Sequence, residues 1–411
     1  MKEKHGYLYI FHSMKPKVFR LTTVPISLNI LLKGQLNYLG NYFEVKAISG
    51  KGKDLETVQK REGITVIPIE MQRQISPRQD LTALIRLYRL FQKEKPDIIH
   101  SITPKAGLLS MIAGKAAGVP IRMHTFTGLV FPYKTGMMQH LLIAMDRILC
   151  RCATHVYPEG IGVKNDLIKY KISNKPLRVM GNGNVNGIDT AYFSPKSISD
   201  TEKMQLRANL GIANGNFIFI FVGRLVTDKG INELVRAFCE IQKTEDALER
   251  KVNLLLVGSF EPELDPLLPE TVTAIQNNKD IVSVGYQEDV RPYFAISDCL
   301  VFPSYREGFP NVVMQAGAMQ VASIVSNISG CNEIIQNGKN GILVPKKNKE
   351  ALKIAMQNMR DEPQKMAKMQ LKAREIIEKR FVQRALWTEI RNEYTKLLQT
   401  RKVQALGGHP K

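Results

Sequence analysis

The sequence predicts an α/β protein of two doubly wound domains facing a cleft. Three observations carry this. At 411 residues the chain exceeds what one ordinary core accommodates. Apolar runs of strand length alternate with helical stretches in both halves, which implies parallel sheets covered on both faces. Between the halves lies a Gly/Asn/Ser-rich stretch without apolar periodicity. The expected boundaries are residues 1–185 for the first domain and 186–200 for a linker. Residues 201–381 form the second domain, and 382–400 a C-terminal helix packing back on the first.

In the first half the strands read as GYLYIFH, FEVKAIS, ITVIPI, DIIHSI and IRMHTF. SPRQDLTALIRLYRLFQKEK and KAGLLSMIAGKAAG are helices between them. The former opens on Ser76-Pro77, an N-cap residue followed by a proline that needs no N–H at the first helical position. After PLRVM comes GNGNVNGIDTAYFSPKSISD. Its third glycine falls one residue late for a dinucleotide fingerprint and no helical pattern follows, so it reads as connection. The second half restarts with FIFIFVG and the helix INELVRAFCEIQ. The strands VNLLLVG, IVSVG, CLVFPS and ASIVS follow, and GILVP closes the sheet. FVQRALWTEIRNEYTKLLQT is an amphipathic final helix, and RKVQALGGHPK a frayed polar end.

The apolar stretch near the N-terminus is too short for a signal-peptide core, and no run approaches the ~18 residues of a membrane span. Five scattered cysteines without a C-x-x-C pair support neither zinc nor redox chemistry and fit a reducing cytoplasm. The net charge of +20 is uneven. Residues 1–190 hold 28 Lys+Arg against 13 Asp+Glu, whereas the remainder holds 30 against 25. Basic–aromatic interleaving and DNA-reading motifs are absent, so the charge points to an anionic membrane surface and phosphates rather than nucleic acid.

In doubly wound sheets ligands bind beyond the carboxyl ends of strands. After the strand ending at Val222, FVGRLVTDKG places Gly223, Arg224 and Lys229 before a helix N-terminus. Two cations and a helix end suit a diphosphate; the alternative is that both cations pair with Asp228. After CLVFPS comes PSYREGFPNVVMQAGAM. Pro310 suits a first helical turn, leaving the amides of Asn311 and Val312 for a ligand. Glu307 can accept from vicinal hydroxyls, and Gln315 can meet a second pair, such as a ribose. The alternative pairs Glu307 with Arg306 and leaves Gln315 as helix interior.

Together these stretches resemble glycosyltransferase family 4, whose members have the GT-B fold of two Rossmann-like domains. The family's Glu-x7-Glu appears as Glu307-Gly-Phe-Pro-Asn-Val-Val-Met-Gln315, with glutamine in the second place. Gly223-Arg224-Leu225 and Lys229-Gly230 match its G-R-L…K-G. Asn340 to Pro345 and the NGID at 186–189 match further motifs. HSITPKAGLLSMIAGKAAGVP and MQRQISPRQDL resemble the branch that builds bacterial surface polysaccharides. The resemblance implies a retaining transfer of a hexosyl or N-acetylhexosaminyl group from a nucleotide sugar, usually a UDP-sugar. The second domain would hold the donor and the first the acceptor. Glu307 would bind sugar hydroxyls, Arg224 and Lys229 the leaving diphosphate, and the region of Gly223, Gly308, Phe309, Pro310, Asn311 and Val312 the sugar and phosphates. Gln315 would contact the ribose. No D-x-D pair occurs, so no metal or other cofactor is expected. Protein cations then stabilise the leaving group.

In the first half, the slot where the family carries a histidine holds Thr127, with His124 three residues earlier as a candidate. TTVPISLN replaces the family's glycine pair, and Ser27 is a possible helix cap. Arg73 and Lys105 are candidate contacts for an acceptor phosphate. The reading is a bacterial cytoplasmic enzyme, peripheral on the inner face of the membrane. It adds one sugar to a polyprenyl-diphosphate-linked glycan in capsule, exopolysaccharide or lipopolysaccharide O-antigen synthesis. Alternatives are a GT-B nucleotide-sugar epimerase, or a noncatalytic module binding nucleotide sugars or nucleic acid. The sequence specifies no oligomeric state.

Overall fold

The computed structural model describes residues 15–243, 251–263 and 265–405. It contains two six-stranded parallel sheets. The first comprises β1 (Lys17–Leu21), β2 (Glu44–Ser49), β3 (Thr65–Pro68), β4 (Ile98–Ser101), β5 (Ile121–Phe126) and β6 (His155–Pro158), in the order β3-β2-β1-β4-β5-β6. The second comprises β7 (Phe217–Val222), β8 (Val252–Val257), β9 (Ile281–Ser283), β10 (Cys299–Phe302), β11 (Ala322–Ser326) and β12 (Gly341–Val344), ordered β12-β11-β10-β7-β8-β9. Each sheet therefore winds outward in both directions from a central pair, β1/β4 in one and β7/β10 in the other. That pair is where a crevice opens at the strand ends.

Five helices matter below: α1 (Pro77–Glu94), α2 (Ile161–Lys169), α3 (Ile231–Gln242), α4 (Asn311–Ala318) and α5 (Gln383–Ala405). The central strands are apolar without alternation because helices cover both faces. Phe217 to Phe221 of FIFIFV are wholly buried, as are Leu254, Leu255 and Leu256 of β8.

Several elements differ from expectation. GYLYIFH lies outside the described residues, and the first described strand is KVFRL, in which Arg20 hides the apolar pattern. Arg20 is nonetheless buried, donating to His100 Nδ1 at 2.9 Å and to the Tyr394 hydroxyl at 2.5 Å. His100 Nδ1 must therefore accept, which leaves its Nε2–H to donate to Thr125 Oγ1 at 2.8 Å. Ser27 does not cap a helix: it sits inside Pro25–Leu31, whose N-cap is Val24. The final helix runs on to Ala405 through residues expected to fray. Among the described residues, no helix is long and apolar enough to cross a membrane.

By contact density the chain forms two compact units. The first takes the described parts of Met1–Thr125, Ala144–Val156 and Arg391–Lys411; the second takes Phe126–Ile143 and Tyr157–Ile390. Within the first, the buried Tyr394 of α5 packs edge-on against Phe43 and His100, with ring centroids 5.7 and 5.8 Å apart.

Candidate active site

The loops after β7 and β10 meet at the reversal of the second sheet. Gly223 ends β7, its N–H donating to Val257 O. Thr227–Lys229 then makes one tight turn before α3. At Gly230, φ +74°, the two loops touch: a Cβ there would lie 2.2 Å from Pro303 O. Only glycine lets the Lys229 loop press against the loop after β10. The result is an ion pair, Lys229 Nζ to Glu307 Oε1 at 2.5 Å, with both side chains about one-seventh exposed. Lys229 Nζ also lies 5.8 Å from the Phe302 ring centroid.

Asp228 is engaged elsewhere, its Oδ2 accepting from Arg306 Nε and Nη2 at 3.0 and 2.8 Å. Neither Arg224 nor Lys229 pairs with it, and Glu307 does not pair with Arg306. Arg224, half exposed, meets Glu261 Oε2 at 2.8 Å. An exposed pair of this kind is worth about 0.2–1 kcal/mol, so a diphosphate can displace it at little cost.

Pro310 stands one residue earlier than expected, at the N-cap of α4 (φ −72°, ψ 110°), so Asn311 and Val312 are the first two helical residues. Helix geometry gives their N–H groups no acceptor inside α4. Phe309 is buried edge-on to Phe381, centroids 5.6 Å apart. Gly308 and Phe309 are thus held between Glu307 and the helix. Gln315 is half-buried rather than enclosed, and its carboxamide has no partner among the described residues.

Residues 202–376 match the family described as glycosyl transferases group 1, and residues 25–159 match glycosyl transferase 4-like. The capsular polysaccharide biosynthesis glycosyltransferase CapM of Staphylococcus aureus is 31% identical over 93% of this chain and 98% of its own. The chain is a family 4 glycosyltransferase. An Escherichia coli UDP-Gal:α-D-GlcNAc-diphosphoundecaprenol α-1,3-galactosyltransferase is 30% identical over 66% of this chain and 68% of its own. In fold, the glycosyltransferase is similar to Anabaena HepE, solved with UDP and glucose. The TM-score is 0.78 at 17% identity, covering 93% of this chain and all of HepE. The fold is GT-B.

The remaining candidates of the glycosyltransferase belong to the first unit. His124 is buried on β5, with Nδ1 2.8 Å from Ser101 Oγ. A Cβ on Gly107 would touch its ring at 2.4 Å. Burial pushes its pKa down to about 3, so the ring is neutral. Lys105 is also buried and already engaged, with Nζ 2.5 Å from Asp80 Oδ2 and 2.9 Å from Gln74 O. Arg73 is exposed on the loop before α1.

Three residues in the second unit escaped sequence reading. Glu333 binds the N-terminus of α2, accepting from the N–H groups of Ile161 at 2.6 Å and Gly162 at 3.0 Å. Asn184, inside the stretch read as mere connection, donates to Asn311 Oδ1 at 2.9 Å and Phe309 O at 3.4 Å. Glu159, just after β6, is buried, and its carboxyl is held well above the usual range by burial and by the charges of Glu333 and Glu307. An acid at a strand end, VYPEG, was the available signal for the last.

Proposed function

We propose that this glycosyltransferase moves a sugar, with retention of configuration, from a UDP-sugar to a lipid-linked glycan in bacterial surface-polysaccharide synthesis. The observation that carries the reading is the Lys229–Glu307 pair at the strand reversal, with Arg224 beside it on the same loop. A diphosphate competes for Lys229 and Arg224 and releases Glu307 to accept from sugar hydroxyls. The bond from the anomeric carbon to the β-phosphate oxygen breaks, and one to the acceptor hydroxyl forms on the same face. The hydroxyl proton passes to the departing phosphate. Arg224, Lys229 and the α4 N-terminus stabilise the growing negative charge, so no metal is required. The E. coli relative's diphosphoundecaprenol acceptor supports the acceptor class, and the S. aureus relative's role in capsule synthesis supports the pathway class.

The same reading places the enzyme in the cytoplasm, against the anionic inner face of the membrane. On α1, Leu81, Ile85 and Tyr88 are 57%, 41% and 40% exposed. Their spacing puts them on one helix face, and Arg78, Arg86 and Arg89 are exposed around them. That combination suits shallow insertion among acidic headgroups. Binding to anionic liposomes is expected to weaken with salt and to fall in a Leu81→Ser/Ile85→Ser variant; salt-independent binding to neutral vesicles would contradict it.

The reading as a whole is tested with a panel of nucleotide sugars. A thermal shift identifies the donor, and NMR of the product reports the anomer. A shift with guanosine but not uridine nucleotides, an inverted product, or loss of activity with chelator would each overturn the corresponding part.

A further inference from the structure

We propose that Glu159 is a positioning residue: its buried carboxyl is the wall that seats the Glu307–Gly308–Phe309 turn. The geometry is close-packed. Glu159 is 4% exposed, and Oε1 is buried without a hydrogen-bond partner. A Cβ on Gly308 would lie 2.0 Å from that oxygen and 2.8 Å from Thr127 O. A Cβ on Gly128 would lie 3.4 Å from Gly308 Cα and 4.0 Å from the same oxygen. Two glycines thus bring main chain against one carboxyl.

The backbone of Glu159 is fixed on both sides. Its N–H donates to Phe126 O at 3.0 Å, and its carbonyl accepts from Asn184 N–H at 2.7 Å. The side chain of Asn184 in turn donates to Phe309 O and Asn311 Oδ1. Residue 159 therefore reaches the turn twice, directly at Gly308 and through Asn184 at Phe309 and the start of α4.

Burial first, and the surrounding charges second, hold its pKa well above the usual carboxylate range. Glu307, from the loop after β10, and Glu333, from the helix Cys331–Ile334, both oppose its ionisation in addition to burial. Lys229 is engaged by Glu307, and Glu333 is held by main-chain N–H groups. Arg380 turns one NH1 to Glu333 O, and the Cys331 thiol nearby is itself pushed up by burial and Glu307. An ionised Glu159 would be a third carboxylate in this group, with no donor for Oε1.

Two measurements test this, and only the second relies on the transferase reading. The first is Tm from pH 5 to 9 for wild type and Glu159→Gln. The unfolded state releases the Glu159 proton near pH 4.3 and the folded state keeps it, so wild type loses stability as pH rises up to the folded pKa. The Tm of Glu159→Gln should therefore gain on wild type with rising pH; a pH-independent gap overturns the uncharged wall. The second is the transfer rate with the donor found by the nucleotide-sugar panel. Glu159→Gln should keep at least half the wild-type kcat near pH 6.5 and lose the alkaline limb of its pH profile, whereas Glu159→Ala should fall about ten-fold or more. The same limb in wild type and Glu159→Gln overturns the proposal. Should Glu159→Gln not fold, Glu159→Met, equally uncharged and similar in volume, serves for both readings. Absence of transfer by wild type together with a widening Tm gap would refute the proposed donor and acceptor and leave Glu159 as assigned.

Discussion

The two sheets share one winding and treat their central crevices in opposite ways. At β1/β4 the strand ends close on themselves. Thr103 Oγ1 accepts from Thr23 N–H and shares a hydrogen bond with Thr23 Oγ1, both at 2.8 Å, and Thr23 Oγ1 accepts from Ala106 N–H at 3.2 Å. Thr22 adds a bond to Ser49 at 3.1 Å. At β7/β10 the equivalent loops carry Arg224, Lys229 and Glu307, partly exposed and joined in exchangeable ion pairs. The topology provides the crevice in both cases. Hydroxyls that hydrogen-bond one another are committed to the fold, whereas ion pairs can trade one partner for another.

The largest expected contrast is Glu307→Ala, which should slow transfer on the order of 10³-fold or more while UDP binds nearly as before, because the proposed role of Glu307 is to bind the sugar. Tight UDP binding lost with the rate would move Glu307 to the phosphates. Next, Arg224→Ala or Lys229→Ala should weaken UDP binding and slow transfer on the order of 10²-fold. Thr23→Val or Thr103→Val should instead cost about 1 kcal/mol of stability, within the range for a lost hydrogen bond, and leave UDP affinity unchanged. A threonine variant that impairs UDP binding would erase the distinction between the crevices.

The units should also respond oppositely to pH. His100 and His124 are buried in the first, their pKa values pushed down by burial, and for His100 also by Arg20 and His124. Their unfolded value is about 6.5. Below it the unfolded state binds more protons, so stability is full above that pH and lost as pH falls toward 3. The slope is about 1.4 kcal/mol per pH unit for each histidine, opposed by the single Asp146 of the same unit, whose pKa burial pushes up to about 7. Rate-corrected hydrogen exchange at pH 5 against pH 7 should therefore show β4 and β5 opening before β7 and β10. Uniform opening would contradict the assignment. The smallest effect is expected at the edge of the second crevice. Gln315→Glu should change donor affinity by no more than about ten-fold, ~1.4 kcal/mol, since charge-assisted bonds to a ribose are gained but a negative charge approaches the diphosphate. Gln315→Leu should cost more; normal affinity in that variant would remove the ribose contact.

The second sheet was readable because strands such as FIFIFV are unbroken apolar runs ending in glycine and charge. KVFRL was not, since Arg20 becomes acceptable in a core only through partners 80 and 374 residues away. HVYP is too short and too polar to declare itself. The same limit applies at the site. Candidates between Gly223 and Gln315 could be nominated by their spacing along a loop or helix. Which acid Lys229 would choose, that Arg306 would take Asp228, and that Glu159 and Asn184 would abut the Gly308 turn are facts of distant pairing, written in no local pattern. Pro310 shows the finer limit, one residue at a helix start.

Arg20 also sets a timetable. Its hydroxyl partner, Tyr394, is translated 374 residues later. At about 5–20 residues per second, the ribosome takes roughly 20–75 s to deliver it. The unit made first is thus the last to be finished, and until then a buried cation, a histidine and the surface awaiting α5 stand incomplete on the nascent chain. A chain that stopped short of Tyr394 would keep the Arg224 and Lys229 loops yet leave Arg20 and His100 without their shared hydroxyl, which makes α5 a checkpoint on assembly of the first unit.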